Sequence, residues 1–127
     1  MKLNHDCVRD LLLYIEENLP YGYYIDPSTV EIKKYSRDEI LYSADKLLEA
    51  NYLDGIKKTY IGSQYPTIHI NSITWSGHQF LDNIRDDGIW KNTKNVVSKF
   101  SSVSLSMLSS IASQIITALI KSGIDLH

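Results

Sequence analysis

Internal disulfides cannot hold this chain together, because Cys7 is its one cysteine. Small secreted scaffolds depend on several, so a reducing compartment suits this chain better. Proline and glycine are scarce, at three and six residues, which excludes collagen-like, proline-rich and flexible-linker classes. A basic surplus is missing too: thirteen Lys and Arg face fifteen Asp and Glu, for a net charge of -2 and a pI near 6.0. That balance argues against a domain gripping nucleic acid through one broad basic face, although local basic patches remain open. Residues 1–10 lack the apolar run of a signal peptide, so a cytoplasmic protein is expected. Metal and cofactor chemistry lacks its spacing. His5, His69, His78 and His127 with Cys7 form neither a Cys-x-x-Cys nor a His-x-x-x-His pair, and there is no nucleophile motif or glycine-rich phosphate loop. No metal, no cofactor and no enzymatic activity are expected.

What the chain does have is 43 % hydrophobic residues in 127 positions, enough for one core and too little for a second full domain. Asn4 predicts an N-cap for a helix over residues 5–19, stopped by Pro20 and Gly22, with Val8, Leu11, Leu12 and Ile15 on one face. Residues 23–32 read as a short strand, a turn at Asp26, Pro27 and Ser28, and a second strand. Ser36 and Glu39 form a capping box for a helix reaching about Asn51. Its stripe of Ile40, Leu41, Ala44, Leu47 and Leu48 leaves Asp38, Glu39, Tyr42, Asp45, Lys46 and Glu49 outward. Strands follow at 56–61 and 67–73, joined by a tip at 62–66. Thr74 or Ser76 then caps a helix carrying Phe80, Leu81 and Ile84. A further helix over 89–100 aligns Ile89, Trp90, Thr93, Val96, Val97 and Phe100. Trp75 and Trp90 are both expected in the core. His78 is expected to pack its ring at a helix start with its polar edge on backbone, and Asp82, Asp86 and Asp87 to form a solvated face plus a helix N-cap.

Helix, Leu-Glu-Ala-Asn-Tyr-Leu, two-strand ribbon, then Thr-Trp-Ser-Gly-His is the order of the back half of a winged helix. The fold class expected is α+β, a winged-helix-like domain over 1–100 with additional C-terminal helices, and a C-terminal amphipathic helix over 101–127. One departure is visible: a single helix, not two, precedes the presumed recognition helix. Winged helices mostly bind, either duplex DNA or another protein. Candidate DNA contacts are Lys33, Lys34 and Arg37 at the start of the recognition helix, Tyr42 and Lys46 on it, and Lys57, Lys58, Gln64 and Tyr65 on the wing. The helix face itself counts Asp38, Glu39, Asp45 and Glu49 against Lys46, net negative by three, which phosphates would oppose. An acidic face with exposed Tyr42 suits a protein partner equally.

Residues 103–120 contain no charge at all, and about 18 apolar residues is the threshold at which a membrane span is considered. Ser106, Ser109, Ser110, Ser113 and Thr117 nevertheless line one side, with Leu105, Leu108, Ile111, Ala112, Ile115, Ile116 and Leu119 on the other. That is an amphipathic helix, which is expected to form a homodimer or to pack on the domain and is not expected to enter a membrane.

Residues 1–13 (Met-Lys-Leu-Asn-His-Asp-Cys-Val-Arg-Asp-Leu-Leu-Leu), the helix end Lys46 to Leu53 and the block from Ile73 to Asp87 resemble the family of unknown function numbered 2513. The likeness runs to about Lys94, and Trp-Ser-Gly-His-Gln-Phe-Leu-Asp with Trp90 is its most specific part. It implies a winged-helix-like fold and phage or prophage association, with no established activity. A host or phage protein is then the alternative partner to DNA. The Leu-Glu-Ala-Asn-Tyr-Leu and Thr-Trp-Ser-Gly-His segments also resemble the recognition-helix and wing ends of MarR-like and PadR-like regulators.

Overall fold

A computed structural model describes residues 1–123, an α+β chain with five α-helices and a two-stranded antiparallel sheet. It divides into two compact units, Met1–His78 and Gln79–His127.

In the first unit, α1 (His5–Asn18) starts where Asn4 Oδ1 accepts from the Cys7 amide at 3.1 Å. Its inner face buries Cys7, Val8, Leu11, Leu12 and Ile15. The expected hairpin over 23–32 does not form. Ile25 makes an isolated bridge to Ile70, with both backbone hydrogen bonds at 2.8–2.9 Å, and Pro27–Thr29 is a single 3-10 turn. Proline has no amide to donate to a ladder, and Asp26 Oδ1 takes the Ser28 amide at 2.9 Å, so the chain turns instead of returning as a strand.

Helix α2 (Arg37–Glu49) carries the complete Ser36/Glu39 capping box and buries Ile40, Leu41, Ser43, Ala44 and Leu47 against α1. Ser43 is an unexpected member. Among the described residues its hydroxyl has no hydrogen-bond partner of ordinary geometry, and it lies beside the Cys7 thiol, whose pKa burial pushes up. The helix ends in a Schellman motif. Asn51 sits at φ 61°, the Tyr52 amide donates to Leu47 O and the Asn51 amide to Leu48 O, both at 3.0 Å.

The hairpin pairs β1 (Leu53–Lys58) with β2 (Thr67–Ile73). β1 therefore begins three residues earlier than its expected start at 56 and stops before Tyr60 and Ile61, both exposed. Leu53 decides this, because pairing Leu53 with Ile73 puts Leu53, Ile68, Ile70 and Ile73 on the buried face. A bulge leaves Asn71 without a partner on β1, between the pairs Asp54/Ser72 and Gly55/Ile70.

Helix α3 (Trp75–Ile84) crosses from the first unit into the second. Thr74 caps it, its hydroxyl oxygen accepting from the Gly77 amide at 3.0 Å while donating to Asn51 O at 2.6 Å. Gly77 lies so close to the Tyr52 carbonyl that an added Cβ would stand 2.0 Å from its oxygen. Two of the three segments that carry the family likeness thus meet one another. At ~100° per residue the inward arc holds Gly77, Phe80, Leu81 and Ile84, which turns Trp75 to the opposite side. Trp75 is 80 % exposed, which corrects its assignment to the core.

In the second unit, α4 (Asp87–Val97) is capped by Asp86, whose Oδ2 accepts from the Ile89 amide at 2.9 Å. It buries Ile89, Trp90 and Thr93 and ends before Phe100, which is exposed rather than packed as expected. Helix α5 (Leu105–Lys121), capped by Ser104, packs on α4. Of its apolar stripe Leu108 and Ala112 are buried, while Leu105, Ile111, Ile115, Ile116 and Leu119 are half-buried. Among the described residues no helix is long and apolar enough to cross a membrane. His127 lies outside the described residues.

Candidate functional site on the α2 and hairpin face

Most of the basic and aromatic candidates converge on the surface shared by α2 and the hairpin. The Arg37 guanidinium lies 5.0 Å from the centre of the Tyr65 ring, and the Tyr65 hydroxyl donates to Asp38 Oδ1 at 2.8 Å. Lys57 points inward from β1 and donates to both carboxylate oxygens of Asp45, at 2.9 and 3.1 Å. Lys46 does the same to Glu49 at 3.0 and 3.1 Å, its ammonium 5.2 Å from the Tyr42 ring centre. Sequence separations of up to 27 residues are closed in this way. The hydrogen bond to Asp38 raises the Tyr65 phenol above its ordinary pKa, and the bond to Glu49 does so for Lys46.

The expected negative face is corrected by these pairings. Glu39 is not on it: its Oε2 accepts from Asn4 Nδ2 at 2.9 Å and its Oε1 from the Ser36 amide at 3.1 Å, tying α2 to α1. Arg37 and Lys57 join it, so that Arg37, Lys46 and Lys57 stand against Asp38, Asp45 and Glu49, three against three. The surface is neutral in sum, with both lysines ion-paired, Arg37 over the Tyr65 ring and Asp38 bonded to the Tyr65 hydroxyl. Between α2 and the hairpin lies a recess of about 170 Å³ lined by Met1, Asp38, Leu41, Tyr42, Asp45, Tyr65 and Pro66. Small-molecule sites run from about 300 Å³ upward, so this recess is small for one.

Four candidates fall outside the cluster. Lys58, next to the inward Lys57, points to the other side of the sheet, and Gln64 is exposed at the hairpin tip. Lys33 and Lys34 precede α2, with the Lys34 ammonium 3.9 Å from Asp10. Asp10 is a hub that also accepts from the Tyr35 hydroxyl at 2.6 Å and lies 3.8 Å from the buried Arg9. Burial first, and then the bond to Asp10, push the Tyr35 phenol far above its ordinary range. Tyr35 thus fastens the segment before α2 onto α1, a role no local spacing announced.

Sequence reasoning also missed a recess of about 360 Å³ lined by Ile15, Glu16, Leu19, Tyr21, Asn71, Ser72 and His78 among others. His78 Nδ1 lies 4.0 Å from Glu16 Oε2, so its polar edge faces a carboxylate and not backbone as expected. No three His, Cys, Asp or Glu side chains among the described residues are placed to hold a metal ion.

The chain is similar to an uncharacterised protein of Haemophilus influenzae, with 26 % identity over 128 residues, covering 94 % of this chain and 99 % of that one. No solved structure matches it. A family model described as hypothetical protein (DUF2513) matches residues 2–104. The chain belongs to that family of hypothetical proteins.

Proposed function

We propose that this protein is a non-enzymatic phage or prophage accessory protein in which a winged-helix-like domain binds double-stranded DNA as a small transcriptional regulator. In the order of a winged helix, α1 is the first helix and Ile25 a vestigial first strand. The 3-10 turn Pro27–Thr29 stands for the second helix, α2 is the recognition helix, and β1 and β2 are the wing. The carrying observation is the convergence of Arg37, Tyr42, Lys46, Lys57 and Tyr65 on one exposed face of α2 and the hairpin. The paired carboxylates hold these cations in place, and a phosphate can displace Asp45 from Lys57 or Glu49 from Lys46 while Tyr42 or Arg37 reaches a base edge. Such exchange lowers affinity, because each cation leaves a partner to bind.

The test is a duplex-binding titration by fluorescence anisotropy across a salt series. The expected result is binding that weakens steeply with salt, with Arg37→Ala plus Lys57→Ala weakening all sequences and flattening the salt slope by about two. Lys58→Ala, on the other side of the sheet, should leave the affinity unchanged. Absence of binding to any duplex at low salt would overturn the proposal.

The neutral sum of the face favours a second reading, in which the same surface docks a host or phage protein. A protein complex of that kind responds weakly to salt. Its capture from host lysate should survive nuclease treatment.

A further inference from the structure

The hairpin has a second side, and its edge is unpartnered. β2 is bonded to β1 on one edge and at Ile70 to Ile25 on the other, whereas β1 pairs with β2 alone. Among the described residues the backbone of 54–58 makes no hydrogen bond outside that ladder. Alternation along β1 sends Leu53, Gly55 and Lys57 inward and Asp54, Ile56 and Lys58 outward. Natural edges are often guarded by an inward charge, but the inward Lys57 is already neutralised by Asp45 at 2.9 Å.

The outward row is complementary to itself. Laid antiparallel against a second copy about Ile56, the strand opposes Ile56 to Ile56, Gly55 to Lys57 and Asp54 to Lys58. Both charged pairs fall on the same face as Ile56 and join opposite signs. Among the described residues of one copy neither charge has such a partner, since Asp54 faces Ser72 and Lys58 faces Thr67. Ile56 is 52 % exposed and opposes His69, whose ring stacks on Tyr24 at 4.5 Å between centroids. A two-fold axis at Ile56 would thus join two strips of Tyr24, His69 and Ile56 into one apolar band flanked by the Asp54/Lys58 pairs.

We infer that the free edge of β1 is a self-association site, at which a second copy of this chain adds its own β1 to form a four-stranded antiparallel sheet. This surface is separate from the α2 face and does not depend on DNA binding. Sedimentation velocity of the full chain over a micromolar to millimolar range tests it with Asp54→Lys, Lys58→Asp and the double swap.

The parent should show a monomer–dimer equilibrium, each single reversal should weaken it about ten-fold by opposing like charges, and the double swap should restore it. Both positions are exposed in a single copy, so thermal melts at concentrations below dimerisation should be unchanged. A parent that stays monomeric throughout, single variants that associate like the parent, or a double swap no better than the singles would each overturn the assignment. So would association abolished by Ile116→Lys in α5 and untouched by Asp54→Lys.

Discussion

Trp75 is 80 % exposed while Trp90 is 6 % exposed, so two residues of the same type carry opposite energetic roles. Truncating Trp90 to Ala should cost about 3 to 5 kcal/mol, whereas Trp75→Ala should stay within about 0.5 kcal/mol. Denaturant melts of the two variants measure this, and the emission of Trp75→Phe should lie to the blue of Trp90→Phe. A second residue with a definite signature is Glu39. Hydrogen bonds from Asn4 and the Ser36 amide hold its carboxyl below the ordinary carboxylate range. The folded state thus binds this proton more weakly than the unfolded chain. The resulting stability is present above the ordinary carboxylate pKa and is lost as pH falls through the lowered value. Glu39→Gln should therefore flatten the fall of Tm with acid below about pH 5 and leave the slope above neutrality unchanged.

Among the elements, the junction of α2, β1 and α3 is closely packed. The Schellman turn at Asn51 presents the Tyr52 carbonyl to α3, and Thr74 and Gly77 close on it. A methyl group on Gly77 would meet the Tyr52 carbonyl carbon and oxygen, which belong to backbone and cannot swing away. Gly77→Ala should cost about 1 to 3 kcal/mol or more by overpacking, read as a lowered urea midpoint. The same junction shows how much was legible in sequence. Asn4 and the Ser36/Glu39 box announce their helix starts because a cap is a local hydrogen bond between near neighbours, whereas the choice between Thr74 and Ser76 falls to Thr74 only in the structure. The start of β1 and the lost hairpin at 23–32 were not legible, because strand register depends on which distant apolar residues share a face.

On the scale of the whole molecule, α5 is the element whose role depends most on context. Leu108 and Ala112 are fully buried in a helix that packs on α4, so part of its apolar stripe is covered within the chain. Leu108→Ala should destabilise the second unit by about 2 to 5 kcal/mol, followed through the fluorescence of Trp90 in a Trp75→Phe background. A signal from residues of the first unit, such as hydrogen exchange at the α2 amides, should move less. Equal loss of protection in both units would show instead that they unfold as one.

The starts of α1 and α2 with their caps, and the presence of a hairpin and of an amphipathic tail, are set by the sequence alone, since each rests on periodicity or on contacts within a few residues. The balanced charge of the α2 face is not. Asp45 and Lys57 are twelve residues apart, Asp38 and Tyr65 twenty-seven, and only the hairpin folding over α2 brings Lys57 to Asp45 and the Tyr65 hydroxyl to Asp38. Trp75 is exposed for the same reason, because its burial follows from where Gly77 fixes the helix rotation and not from its own hydrophobicity. Tertiary structure decides which charges meet and which apolar side chains are covered, because both depend on distances in space that spacing along the chain does not encode.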